Sequence, residues 1–215
     1  MKTVCIVQAR MTSTRLPGKS MMPIMGFPLI EHVLTRCILI VGVDQVVLAI
    51  PDSADSDELE VPAERVGIPV FRGPEHDVLK RYALAAKKYE ADVICRITGD
   101  CPLIDPIVAS LVLKPVLDGA ADYCSNVHPR TYEKGLDVEV FTRWALAVAD
   151  RDAKAPKQRE HVTPFMVRNK IFRRKTITSS IDRDKNTNWS VDTIEDLEAV
   201  RNEFAKRYAV DATVS

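Results

Sequence analysis

Short apolar runs alternate with longer segments of helical period along almost the whole chain, and this alternation constrains the fold more than any other feature. The runs at 3–8, 45–50, 68–71, 92–98, 121–125, 136–141, 171–175 and 188–191 have strand length. Helical periods lie between them at 28–40, 55–66, 77–89, 106–117, 143–150, 158–168 and 193–208. In 77–89, Val78, Leu79, Tyr82, Ala83 and Ala86 form one apolar stripe. Such a pattern predicts an α/β fold: a mainly parallel mixed sheet, right-handed crossovers and helices on both faces. Ligands of such sheets bind beyond the carboxyl ends of the strands, so chemistry is sought just after each run.

Composition excludes more than it identifies. Thirty basic residues balance thirty acidic ones over 215 positions, so there is no general basic surface for nucleic acid. The length suits a single domain spanning 1–215. Met1-Lys2 leads directly into a short apolar run unlike a secretion signal, and no stretch is long enough to span a membrane. The expectation is a cytoplasmic protein. Cys5, Cys37, Cys95, Cys101 and Cys124 lack CxxC spacing and read as reduced thiols rather than zinc ligands. Segment 125–134, polar and aromatic, is the candidate for a flap or interface arm, extending to about 141.

The first run is followed by Gln8-Ala9-Arg10-Met11-Thr12-Ser13-Thr14-Arg15-Leu16-Pro17-Gly18-Lys19-Ser20. Three cations, Arg10, Arg15 and Lys19, share one loop with small hydroxyl residues, which suits a triphosphate. Gly18-Lys19-Ser20 also matches the end of a Walker A loop. That loop requires glycine at position 13, where Ser13 stands, and Pro17 removes an N–H from the cradle. Further on, Gly99-Asp100-Cys101-Pro102 places a carboxylate at the end of a central run, behind a glycine that admits close backbone approach. Asp105-Pro106 reads as a helix N-cap with proline at N1. Asp192 stands where the last run meets the last helix. Asp192-x-x-Glu195 and Thr193-x-x-Asp196 each read as a capping box, so Asp192 is either a cap or a metal ligand. Asp182-Arg183-Asp184 spells a glycosyltransferase DxD, but Asp55-Ser56-Asp57 does too, so the pattern carries little.

Ala9-Arg10-x-x-Ser13-x-Arg15-Leu16-Pro17-Gly18-Lys19, then Pro23 and Gly26-x-Pro28-Leu29-Ile30, resembles the cytidylyltransferases that make CMP-activated acidic sugars. These include the acylneuraminate and 3-deoxy-manno-octulosonate enzymes, with the spore-coat polysaccharide branch the nearest. The resemblance extends to about Tyr208 and implies a Rossmann-like nucleotide-diphospho-sugar transferase fold. It implies that Arg10, Arg15 and Lys19 hold the triphosphate of CTP, with Gln8, Ala9, Ser13, Thr98 and Gly99 completing the nucleotide site. Asp100 and Asp192 then coordinate Mg²⁺, and Arg10, Lys19 and Asp100 carry catalysis. The octulosonate enzymes have glutamine where Thr98 stands, so the base contact differs. For the sugar substrate the resemblance points to segments carrying Arg72, Asp77, Asp137, Glu139 and His161, and it implies a homodimer. Considered singly, Asp77 is equally a helix cap, and Glu139 equally a partner for a neighbouring strand.

Overall fold

The computed structural model describes residues 1–181, 183–184 and 186–211. One seven-stranded sheet organises the chain, in the order β5-β4-β1-β6-β8-β7-β9. β1 (Thr3–Gln8) lies in the middle, parallel to β4 (Gln45–Pro51) and β6 (Val93–Thr98). β5 (Val70–Gly73) extends the parallel part beyond β4. β8 (Glu139–Thr142) runs antiparallel between β6 and β7 (Tyr123–Ser125), and β9 (Arg174–Thr176) closes that edge parallel to β7. A small hairpin of β2 (Pro23–Ile24) and β3 (Phe27–Pro28) stands apart.

The central strands read as unbroken apolar runs because both of their faces are covered. Cys5 and Val7 point into a core built with α1 (Leu29–Ile38), α2 (Glu60–Arg65), α4 (Pro106–Leu117) and α8 (Ile194–Asp211). Val4 and Ile6 point the other way, against α3 (Val78–Lys88), α5 (Arg143–Asp152) and α7 (Pro164–Arg168). All five cysteines are buried and free, Cys5, Cys95 and Cys37 packed within the first of these cores.

Three expected elements differ. The helix expected at 158–168 is two pieces, α6 (Pro156–His161) and α7, because buried Val162 turns to φ +69° and Pro164 restarts the chain. Segment 55–66 begins as a 3-10 turn over Ala54–Leu59 before α2. The strand expected at 188–191 is a single bridge between Asn188 and Lys134, with Val191 buried in the core instead of the sheet. Asp105 does cap α4, accepting from the N–H groups of Ile107 and Val108, with Pro106 at the first helical position.

The segment singled out as an arm lies folded against the domain. Tyr132 and Leu136 are buried with Val108 and packed by Trp189. Asn126 is fully buried, donating to Leu136 O at 2.7 Å and accepting from Val138 N–H at 2.9 Å.

Candidate active site

The carboxyl ends of β1 and β6 lie side by side, Gln8 against Thr98, and the chain leaves both through loops. The loop after β1 folds back on itself: Gly18 N–H donates to Met11 O at 3.0 Å, and Gly18 adopts φ +70° to enter a 3-10 turn at Lys19–Met21. Met11 and Leu16 anchor it against the apolar core.

After β6, Gly99 N–H donates to Gln8 O at 2.7 Å. A Cβ on Gly99 would lie 2.7 Å from Gln8 O and 2.9 Å from both Ala9 Cβ and Ile30 Cδ1. Only glycine permits this approach of the two loops. Gly99→Ala is therefore expected to cost roughly 1–3 kcal/mol as an overpacked position. Urea denaturation checks this, and unchanged stability would show that the loops are not so tightly opposed.

Asp100 O accepts from Val191 N–H at 2.9 Å, which draws the segment before α8 onto the end of β6 and sets Asp192 beside Asp100. The two carboxylates bracket one ammonium. Lys19 Nζ lies 2.9 Å from Asp100 Oδ2 and 3.1 Å from Asp192 Oδ1. Arg15 and Lys134 also reach Asp192, at 2.9 and 3.3 Å. Burial pushes the Asp100 carboxyl up, but Lys19 and the Thr98 hydroxyl outweigh it and hold the group below the usual range. Burial acts likewise on Asp192, and Lys19 and Lys134 hold it down. Asp192 does not cap α8. The capping box is Thr193 with Asp196, whose carboxylate accepts from Thr193 N–H at 2.9 Å while Thr193 Oγ1 accepts from Asp196 N–H at 3.3 Å.

A cleft opens between these loops and the start of α3. Its walls include Gln8, Ala9, Arg10, Ser13, Arg15, Lys19, Thr98, Gly99, Asp100, His161 and Asp192, so residues remote in sequence and chosen from it separately meet in one place. Arg72, Asp77, Asp137 and Glu139 are not among the residues lining it. Arg72 pairs with Asp57 and Glu60, at 2.5 and 2.7 Å. Asp77 caps α3, accepting from Lys80 N–H at 2.9 Å, and pairs with Arg159 at 2.7 Å. Asp137 binds both arms of Arg130, at 2.6 and 2.8 Å. Glu139 is buried between Arg96 and Tyr123, 2.5 Å from each. Asp182 lies outside the described residues.

The cleft also holds side chains that periodicity passed over: Arg81, Arg96 and Glu160. Arg81 is 1% exposed and, among the described residues, donates only to carbonyls, Pro74 O at 2.6 Å and Glu75 O at 3.4 Å. Burial, and then Arg10 nearby, pull its guanidinium below its ordinary pKa. A signal existed for both arginines. Arg96 is a lone cation within the apolar Val93–Thr98 strand, and Arg81, next to Lys80, borders the apolar stripe of α3.

The donor set fits Mg²⁺ when tested against the resident ammonium. Asp100, Asp192 and Val191 O already surround one cation with oxygen alone. Among the described residues no group of three or more His, Cys, Asp or Glu side chains is placed to hold a metal. Two carboxylates with the remaining ligands from phosphate and water are the usual provision for Mg²⁺. Five cationic side chains against three carboxylates also leave the cleft net positive, as a polyphosphate requires.

A Rossmann-like α/β domain with this cleft at the carboxyl ends of its central strands defines a nucleotidyltransferase. The chain belongs to the cytidylyltransferase family, whose model matches residues 4–213. It is 29% identical over 208 residues to the spore coat polysaccharide biosynthesis protein SpsF of Bacillus subtilis, covering 94% of this chain and 85% of that one. Among solved structures, a cytidylyltransferase from Leptospira borgpetersenii superposes with a TM-score of 0.89 at 35% identity, covering 94% of this chain and 85% of that one. A CMP:2-keto-3-deoxy-manno-octonic acid synthetase complexed with CTP shares the fold at TM-score 0.77 and 22% identity, over 96% of this chain and all of that one.

Proposed function

We propose that the protein transfers the cytidylyl group of CTP to a hydroxyl of an acidic sugar, in the biosynthesis of a surface polysaccharide. The observation that carries this reading is the convergence of Arg10, Arg15 and Lys19 with Asp100 and Asp192 in one cleft. The sugar hydroxyl attacks the α-phosphorus, the α–β anhydride bond breaks, pyrophosphate leaves, and the hydroxyl proton passes to solvent. Arg10, Arg15 and Lys19 bind the β- and γ-phosphates and stabilise the charge that develops on the leaving group. Asp100 and Asp192 would hold Mg²⁺, which would neutralise charge on the α-phosphate. Gln8, Ala9, Ser13, Thr98 and Gly99 position the nucleoside. His161, at the cleft rim, contacts the sugar. Arg81, buried and paired with no carboxylate among the described residues, favours an anionic sugar over a neutral one. CTP in the complexed synthetase structure and the polysaccharide role in the SpsF name support base and pathway. We also propose a homodimer, tested by light scattering.

Pyrophosphate release from CTP, ATP, GTP and UTP, each with acidic and neutral sugars, tests the reading. CTP with an acidic sugar is expected to give the highest rate. CTP with Mg²⁺ at 100 times its Kd should also stabilise the fold by about 2.7 kcal/mol in thermal shift. Preference for a purine triphosphate would end the cytidylyl assignment.

A further inference from the structure

An ammonium group carries three protons, and Lys19 spends all three inside the protein. Nζ donates to Asp100 Oδ2 at 2.9 Å, to Val191 O at 2.6 Å and to Asp192 Oδ1 at 3.1 Å. Its side chain is 12% exposed. A phosphate reaching the loop after β1 therefore meets a lysine with nothing left to donate. The same ammonium sits between the two carboxylates, surrounded by oxygen alone, where a hard divalent cation would be held. Two cations cannot share that position, because their repulsion at such separations is large even in a partly solvated site.

We propose that Lys19 is a resident occupant of the metal seat, and that a nucleoside triphosphate must draw it away before a divalent ion binds there. The proposal rests on the nucleotidyltransferase reading of the cleft. A polyphosphate offers Lys19 a denser negative charge than the two aspartates do. Arg15 is 64% exposed and shares Asp192, so it can turn to the phosphates along with Lys19. Once the ammonium has turned, Asp100, Val191 O and Asp192, which keeps only the more exposed Lys134 at 3.3 Å, are left as oxygen ligands beside the phosphates. The ion then enters with the nucleotide rather than before it, and it leaves when pyrophosphate departs and Lys19 returns. By linkage, triphosphate and metal raise each other's affinity by the same factor.

Binding of Mn²⁺ to the nucleotide-free protein, followed by the paramagnetic resonance signal of the free ion, tests the occupant without any turnover. Lys19→Ala should bind Mn²⁺ about tenfold or more tightly than the wild type, since the two carboxylates lose the charge between them. Asp100→Asn added to Lys19→Ala should remove that gain, which locates it in this seat. Equal Mn²⁺ affinity in the wild type and Lys19→Ala overturns the proposal. Should Lys19→Ala fail to fold, the wild type decides by thermal shift. Mn²⁺ alone should then give little stabilisation and Mn²⁺ with CTP much more, and an equal shift from Mn²⁺ alone overturns the proposal. The Mn²⁺ arm uses no nucleotide. Tighter Mn²⁺ binding by Lys19→Ala in a protein that ignores CTP would sustain the resident lysine while ending the cytidylyl reading.

Discussion

Glu139→Ala is expected to destabilise the protein by about 3–5 kcal/mol, the cost of stranding one member of a buried ion pair. Glu139 in β8 lies directly across from Arg96 in β6. Its carboxylate accepts from Arg96 Nη1 and from the Tyr123 hydroxyl, each at 2.5 Å. Burial, and then the neighbouring carboxylate, push the Tyr123 phenol well above its ordinary pKa, so it stays a donor. Among the described residues Arg96 Nε has no hydrogen-bond partner, and the Arg96 side chain is only 13% exposed. Truncating Glu139 therefore leaves a guanidinium without a counter-charge beside the cleft it lines. In a chain of this length the melting temperature should fall by roughly 6–20 °C, at about 2–4 °C per kcal/mol. The double variant Arg96→Met, Glu139→Leu should recover most of the loss, because replacing both members with apolar side chains removes the stranded charge. Urea denaturation of the single and double variants measures both effects. A loss below about 1 kcal/mol for Glu139→Ala would mean that the pair behaves as a solvated one.

Glu139 and Asp77 show why the sequence leaves two readings open at some charged positions. For Glu139, a partner on a neighbouring strand is one of the two readings, and the fold supplies that partner as Arg96, 43 residues away. Asp77 is neutralised by Arg159 across 82 residues, and it also caps its own helix. Such charges look available for a substrate until the fold supplies their partners. The loop after β1 and Gly99-Asp100 were legible for the opposite reason. Their positions follow from a local order of residue types at the end of an apolar run, and the parallel sheet then aligns them. Arg81 and Arg96 were visible as cations beside or within apolar patterns, but counting only the apolar positions hid them. Strand 188–191 was misread because its apolar residues bury against helices instead of joining the sheet. Val191 and Trp189 belong to the core beside α8 and α4. The break at Val162 depends on a positive φ that no residue preference signals, although Pro164 marked the spot.

Asp192→Asn separates a part in catalysis from a part in folding. Asparagine keeps the size and one side-chain oxygen, and the N-terminus of α8 is capped by Thr193 and Asp196 instead. Two of the three cations on Asp192, Arg15 and Lys134, are 64% and 48% exposed, and pairs of that kind contribute little to stability. Lys19 retains Asp100 and Val191 O. Melting should therefore stay near that of the wild type. Turnover should not, because a negative ligand is lost where charge on the α-phosphate must be neutralised, an effect worth several kcal/mol. At about 1.36 kcal/mol per tenfold, the rate should fall by roughly 10²–10³. Asp100→Asn should behave alike, and the double variant should lose little beyond either single one, as expected of groups acting through one ion. The measurement is turnover against Mg²⁺ concentration for the folded variant at saturating substrates. If the rate and the Mg²⁺ requirement of Asp192→Asn both match the wild type, Asp192 serves only as an anchor for Arg15, Lys19 and Lys134.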